Sequence, residues 1–139
     1  MSHTERVGIS LDKKLLNMFD ELIARQGYSN RSEAVRDLIR GRLSEESVAK
    51  PSAKAVAGVF LVYDHHSTKL SGKLVELQHS HLLQVIAATH VHLDHHNCLE
   101  VIILKGKVGE VEKLANSMAC LKGVKLSKVN IMTTGEDLA

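Results

Sequence analysis

Histidine and cysteine are gathered in this chain where a metal ion could use them. Eight of its nine histidines fall between His65 and His96, and the run Thr89-His-Val-His-Leu-Asp-His-His-Asn-Cys-Leu-Glu100 is the densest set. His90 and His92 stand two residues apart, so on a strand both imidazoles project from one face. Cys98 follows a turn holding Asp94, His95, His96 and Asn97, and opens the returning strand, from which its sulfur can meet those rings. Two imidazoles and a thiolate suit Ni(II), Cu or Zn(II), planar or tetragonal geometry favouring nickel or Cu(II) and tetrahedral geometry favouring zinc. Binding needs neutral rings and an ionised thiol, so acid should weaken it. Three ligands leave a position open, and a histidine from another chain would close it. His79 and His81 lie just upstream, at the end of a helix or in its exit turn. His65 and His66, after a strand and near a loop, read as solvated, and Cys120 reads as core.

A second bias lies at the other end of the chain. All six arginines, Arg6 to Arg42, come in the first 42 residues, although the net charge is only +2. A guanidinium presents a rigid fork that suits phosphate and guanine edges. In Arg6-Val-Gly-Ile-Ser-Leu11 polar and apolar residues alternate, which predicts a half-buried strand with Arg6, Gly8 and Ser10 on the open face. Paired with its copy in a second subunit, such a strand makes a ribbon that fits the DNA major groove. Arg6 could then reach guanine, Ser10 a base edge, and Gly8 would permit close approach. Asn30-Arg-Ser-Glu33 has the form of a capping box, and the helix start at Asn30, Arg31 and Ser32 offers free N–H groups to a phosphate.

The intervening pattern supplies the elements that must position these groups. Asp12 is placed to cap a helix with Leu15, Leu16, Phe19, Leu22 and Ile23 on its apolar stripe, ended by Gly27. A second helix carries Ala34, Val35, Leu38, Ile39 and Leu43, and must stop before Lys50 because Pro51 follows. Residues 47–54 read as a linker between a unit over 1–46 and one over 55–133, with a frayed tail at 134–139. The larger unit shows strands at Ala55–Asp64, Gln84–Asp94, Cys98–Lys105 and Lys125–Met132, with helices at Thr68 to about Ser80 and Val108–Leu121. The order βαββαβ predicts an α+β, ferredoxin-like fold, a four-stranded antiparallel sheet with both helices on one face. No tryptophan and only two Phe and two Tyr are available, so units this small should lean on association between chains.

Several functions are disfavoured. The longest apolar stretch, Val56 to Tyr63, is too short to cross a bilayer, and Met1 to Leu11 lacks the apolar run of a secretory signal; a cytoplasmic protein is expected. A Cys–His nucleophile pair, or a zinc-activated water with Glu100 as base, is conceivable chemistry. It lacks a glycine-rich cradle, a nucleophile elbow or a His-Glu-x-x-His helix, and no enzyme is expected. A storage or delivery protein that merely dimerises through its head is the alternative to a regulator, although delivery needs no arginine facing out of a paired strand.

Residues Arg6 to Leu43, with Tyr28-Ser-Asn-Arg-Ser-Glu-Ala-Val-Arg-Asp-Leu-Ile-Arg40 around the second helix start, resemble the ribbon-helix-helix repressors. Taken from about Glu5 to Met132, the chain resembles the nickel-responsive regulators. That resemblance implies a homotetramer, a dimer of dimers, binding a double-stranded DNA operator and usually repressing nickel-uptake genes when loaded. It implies one square-planar Ni(2+) per subunit, held by His90, His92 and Cys98 with His79 of a neighbouring chain as the fourth ligand. It also implies that Glu33 and Asp37 help hold a cation between the domains on DNA. Gly8 stands where the family often has a hydroxyl residue, which bears on the operator read and leaves the ligand set intact.

Overall fold

A computed structural model describes residues 3–136 and Leu138. Met1, Ser2, Asp137 and Ala139, which fall in the expected N-terminal unit and tail, lie outside the described residues. The chain divides into two compact units between Gly41 and Arg42.

The first unit is built on two helices. Helix α1 (Lys13–Arg25) starts where Asp12 Oδ2 accepts from the N–H groups of Lys14 and Leu15, at 3.1 and 3.3 Å. It ends before Gly27, whose φ of +88° reverses the chain at little steric cost. Helix α2 (Arg31–Val48) is capped by Asn30, whose Oδ1 accepts from Glu33 N at 2.9 Å, and it stops short of Lys50 as expected. The Glu33 carboxylate accepts from the Ser29 hydroxyl at 3.4 Å. Arg31 grips Asp20 with a bidentate pair of bonds, both 2.8 Å, which ties the α2 start to α1. Among the described residues of this unit only Ile23 and Ala34 are buried, while Leu15, Met18, Leu22, Leu38 and Ile39 stay more than 40% exposed. Two buried side chains are no core.

Residues 6–11 lie in neither helix nor strand, with Val7 80% and Ile9 66% exposed. The strand expected there is therefore absent from the single chain. A strand exists only as half of a ladder, and the partner expected for it was its own copy in another subunit.

The second unit has the order β1 (Lys54–Asp64), α3 (Thr68–Ser80), β2 (Val85–His92), β3 (Asn97–Lys107), α4 (Val108–Ala119) and β4 (Val124–Thr133). The strands form one antiparallel sheet in the order β2-β3-β1-β4. That is the expected βαββαβ arrangement. Along β1, Ala55, Ala57, Val59, Leu61 and Tyr63 are buried and their neighbours are not, the period of a strand covered on one face. They pack with Cys98, Ile102 and Leu104 of β3, Leu70 and Leu74 of α3, and Val111, Leu114, Ala115 and Met118 of α4. The other face carries Phe60, Val91, Leu126 and Met132, all exposed. Strand β2 lies at the edge of the sheet, half-buried only at Val85.

Among the described residues Glu100 is the one charged side chain buried in this unit, at 2% exposure. Its Oε2 accepts from the Tyr63 hydroxyl at 2.7 Å and its Oε1 from Gln78 Nε2 at 3.1 Å. Burial, and then the bond to Glu100, pushes the Tyr63 hydroxyl far above its ordinary range, so it remains a donor at neutral pH. Tyr63→Phe should therefore lower stability by about 1–3 kcal/mol in urea unfolding of the metal-free protein, since the buried carboxylate loses a donor; an unchanged midpoint contradicts this. In the first unit, the hydrogen bond from Arg31 holds the Asp20 carboxyl below 3.8. A depressed folded-state value adds stability above the unfolded pKa, and that contribution fades as pH falls through the folded value. Carboxyl NMR should place the Asp20 midpoint below 3.8 and return it to the ordinary range in Arg31→Ala. Identical midpoints in the two proteins would refute the assignment.

Candidate functional site

The β2–β3 ladder does what the spacing of the histidines predicts. In its register His90 lies opposite Glu100 and His92 opposite Cys98. Directly paired residues of an antiparallel ladder share a face, so both imidazoles are on the side where Cys98 and Glu100 are buried. The rings are exposed because β2 is an edge strand; Cys98, one strand further in, is 2% exposed. The thiol is thus buried on the face that carries the two accessible rings.

His90 is oriented by the buried acid. Its Nε2 lies 3.3 Å from Glu100 Oε1. When Nε2 carries the proton and donates to that carboxylate, Nδ1 is left with the lone pair that a metal requires. The same carboxylate accepts from Gln78, the residue before His79 in the last turn of α3. Glu100 thus links the β2 histidine to the helix end that bears the fourth expected ligand. His79 itself is exposed there. The next histidine of that run, His81, places its Nδ1 2.8 Å from the Leu77 carbonyl oxygen and serves as the α3 C-cap.

Within one chain the His90, His92 and Cys98 donors share a face and a register without closing to ligand spacing. Among the described residues, a different set is closed: Asp64, His66 and His96 bring one ligand atom each within 4.8 Å of one another. Local spacing does not reveal this set, since His65 and His66 read as solvated residues after a strand. The available signal was the topology: β1 ends at Asp64, opposite Asn97 at the start of β3, so Asp64-His-His66 and Asp94-His-His-Asn97 meet at one end of the sheet. His65 N donates to His96 O at 2.9 Å, and the His65 ring stands edge-on to that of His92 with centroids 5.4 Å apart. Asp94 accepts from His96 N, Asn97 N and Asn97 Nδ2. Those bonds, the Asn97 side chain first, hold its carboxyl down to about 2.

At the opposite end of the sequence, Arg6, Gly8 and Ser10 are exposed, and a Cβ added at Gly8 would meet nothing within 4 Å. Asn30 and Ser32 are exposed at the α2 start. Arg31 is already engaged by Asp20, so it would have to leave that pair, or share its fork, to reach a phosphate. Asp37 is held by the Tyr28 hydroxyl at 2.6 Å and by Arg40 at 3.0 Å. No helix among the described residues is long and apolar enough to cross a membrane.

Both parts of the chain match known families. Residues 5–46 match the ribbon-helix-helix proteins of the copG type, and residues 56–132 match the NikR C-terminal nickel-binding domain. Proteins named as nickel-responsive regulators in Geobacter metallireducens and Geobacter sulfurreducens are each 53% identical over 138 residues, covering 99% of either chain. One so named in Lawsonia intracellularis is 46% identical over the same span. The two matched stretches together span most of the chain, and the chain belongs to the nickel-responsive regulator family.

Proposed function

We propose that this chain is a nickel-dependent, DNA-binding transcription regulator of the cytoplasm that represses nickel-uptake genes when loaded. Residues 1–46 form the DNA-reading unit, 47–54 the linker, 55–133 the metal-binding unit and 134–139 a tail. The observation that carries the sensing half is the ladder register, which sets His90 and His92 beside a buried thiol and a buried carboxylate on one face. The donor set fits nickel, since imidazole and thiolate together match a borderline ion better than a hard one. His90, His92 and Cys98 would hold one ion per subunit with His79 of a neighbouring chain. Bound there, the ion supplies a cross-link between subunits that the apo-protein lacks.

What the chain's own residues do follows from this. Glu100 fixes the His90 ring and, through Gln78, the helix end carrying His79. The exposed apolar stripes of α1 and α2, with Val7 and Ile9, are the surface a second copy would cover to make the ribbon. Two such heads on a tetramer, a dimer of dimers, would place Arg6, Gly8 and Ser10 toward operator bases, with Asn30, Arg31 and Ser32 at the phosphates. A cross-link that favours one spacing of the heads tightens DNA binding, and by linkage DNA must then tighten metal binding.

His90→Ala and Cys98→Ala should each abolish tight nickel binding, the thiolate-to-nickel absorption and the nickel-dependent DNA shift, with helix content by circular dichroism unchanged. Retention of the nickel-dependent shift in both would refute the ligand assignment. Arg6→Ala should weaken binding to the preferred operator by about 1–3 kcal/mol, and binding to random duplex by much less. Equal losses on both would make Arg6 a phosphate contact.

A further inference from the structure

We propose that Asp20 is a positioning residue for DNA binding: its side-on grip on Arg31 holds the guanidinium so that the remaining edge, Nη1 with the outer N–H of Nη2, takes a backbone phosphate at the start of α2. This role rests on the DNA-reading function proposed above and adds a residue to it. Asp20 lies in α1 and Arg31 opens α2. Arg31 Nε donates to Asp20 Oδ1 and Nη2 to Oδ2, both at 2.8 Å. Arg40 and Arg42, by contrast, pair with acids three or four residues away on their own helix. The Arg31 pair spans two helices and fixes one end of α2.

A guanidinium carries five N–H donors in a planar fork, and a side-on carboxylate occupies two of them. Among the described residues Nη1 has no hydrogen-bond partner. With the pair made, the Arg31 side chain is still 58% exposed, which leaves room for an anion beside it. Two parallel N–H groups match two phosphate oxygens as well as they match a carboxylate. Sharing the fork therefore breaks no bond, whereas leaving Asp20 forfeits two charge-assisted ones. Asn30 and Ser32 on either side are exposed, and the first amides of a helix have no acceptor within it. Arg31 is thus held at the helix end where a phosphate is expected.

Two effects of Asp20 oppose each other. Its carboxyl is ionised at neutral pH, held below 3.8 by the Arg31 bond, and a negative charge near DNA repels phosphate. Against this, a long side chain already held in one geometry loses less rotamer freedom on binding. Both side chains stay in contact with water, so solvent and salt screen the repulsion, while the saved entropy is not screened. Orientation wins, and that fixes the sign. Removing this acid should weaken DNA binding, although the change makes the head more basic.

The probe is a duplex selected from a random pool by the nickel-loaded, full-length parent, with binding followed by fluorescence anisotropy across a salt series. Arg31→Ala should weaken binding and reduce the slope of log affinity against log salt by about 1 for each Arg31 on the duplex. Asp20→Ala should weaken it about three- to tenfold and leave the slope as in the parent, since the phosphate contact is kept. An Asp20→Ala protein that binds as tightly as the parent, or more tightly, overturns the proposal. Should that variant lose helix content, the isotope-labelled parent decides, because its Arg31 Nε–H NMR signal should keep the paired shift when duplex is added. Movement of that signal to the free-guanidinium position on DNA overturns the proposal and makes Asp20 a latch. A parent that captures no duplex refutes the DNA-reading role itself, and this one with it.

Discussion

The pairing of β2 with β3 is the constraint on which the rest depends. A strand's side chains alternate with a period of two, so a slip of one residue would send every one of them to the other face. In the observed register His90 and His92 meet Glu100 and Cys98. One residue out, the two rings would lie on the open face with Thr89 and Val91 turned inward, and the thiol would have no imidazole beside it. The register is held from the β3 side, where Cys98, Glu100, Ile102 and Leu104 are all buried against β1 and the helices. The binding chemistry is exposed, and the core fixes its alignment.

Glu100 is the cost of that arrangement. A buried carboxylate loses hydration and is tolerated only when its oxygens find donors. Tyr63 from β1, Gln78 from α3 and His90 from β2 supply them. Three elements, β1, β2 and the end of α3, therefore converge on one acid. The uncovered sheet face, the edge strand and the almost coreless helical unit point in one direction. Each is a surface whose apolar groups or backbone edge a second copy would satisfy.

Much of this was legible in the sequence because it rests on local periodicity and spacing. The helix at Thr68–Ser80, the stop before Lys50, the Asp12 and Asn30 caps and the βαββαβ order all follow from patterns within a few residues. The His-x-His and the following Cys were readable because strand geometry alone puts them on one face. What was not legible depends on pairings between distant segments. The Arg31–Asp20 bond crosses two helices, and neither partner advertises the other. Asp64, His66 and His96 meet only because β1 and β3 are registered through Asp64 and Asn97, which no local pattern encodes. Residues 6–11 fail differently, since a ladder whose second strand belongs to another molecule cannot form in one chain.

The proposed nickel response rests on sulfur and imidazole nitrogen sharing one ion. Nickel K-edge X-ray absorption on the full-length protein, loaded with one equivalent per chain, tests this most directly. A shell containing one sulfur scatterer together with histidine nitrogens is the predicted result. A shell of nitrogen and oxygen alone would contradict it.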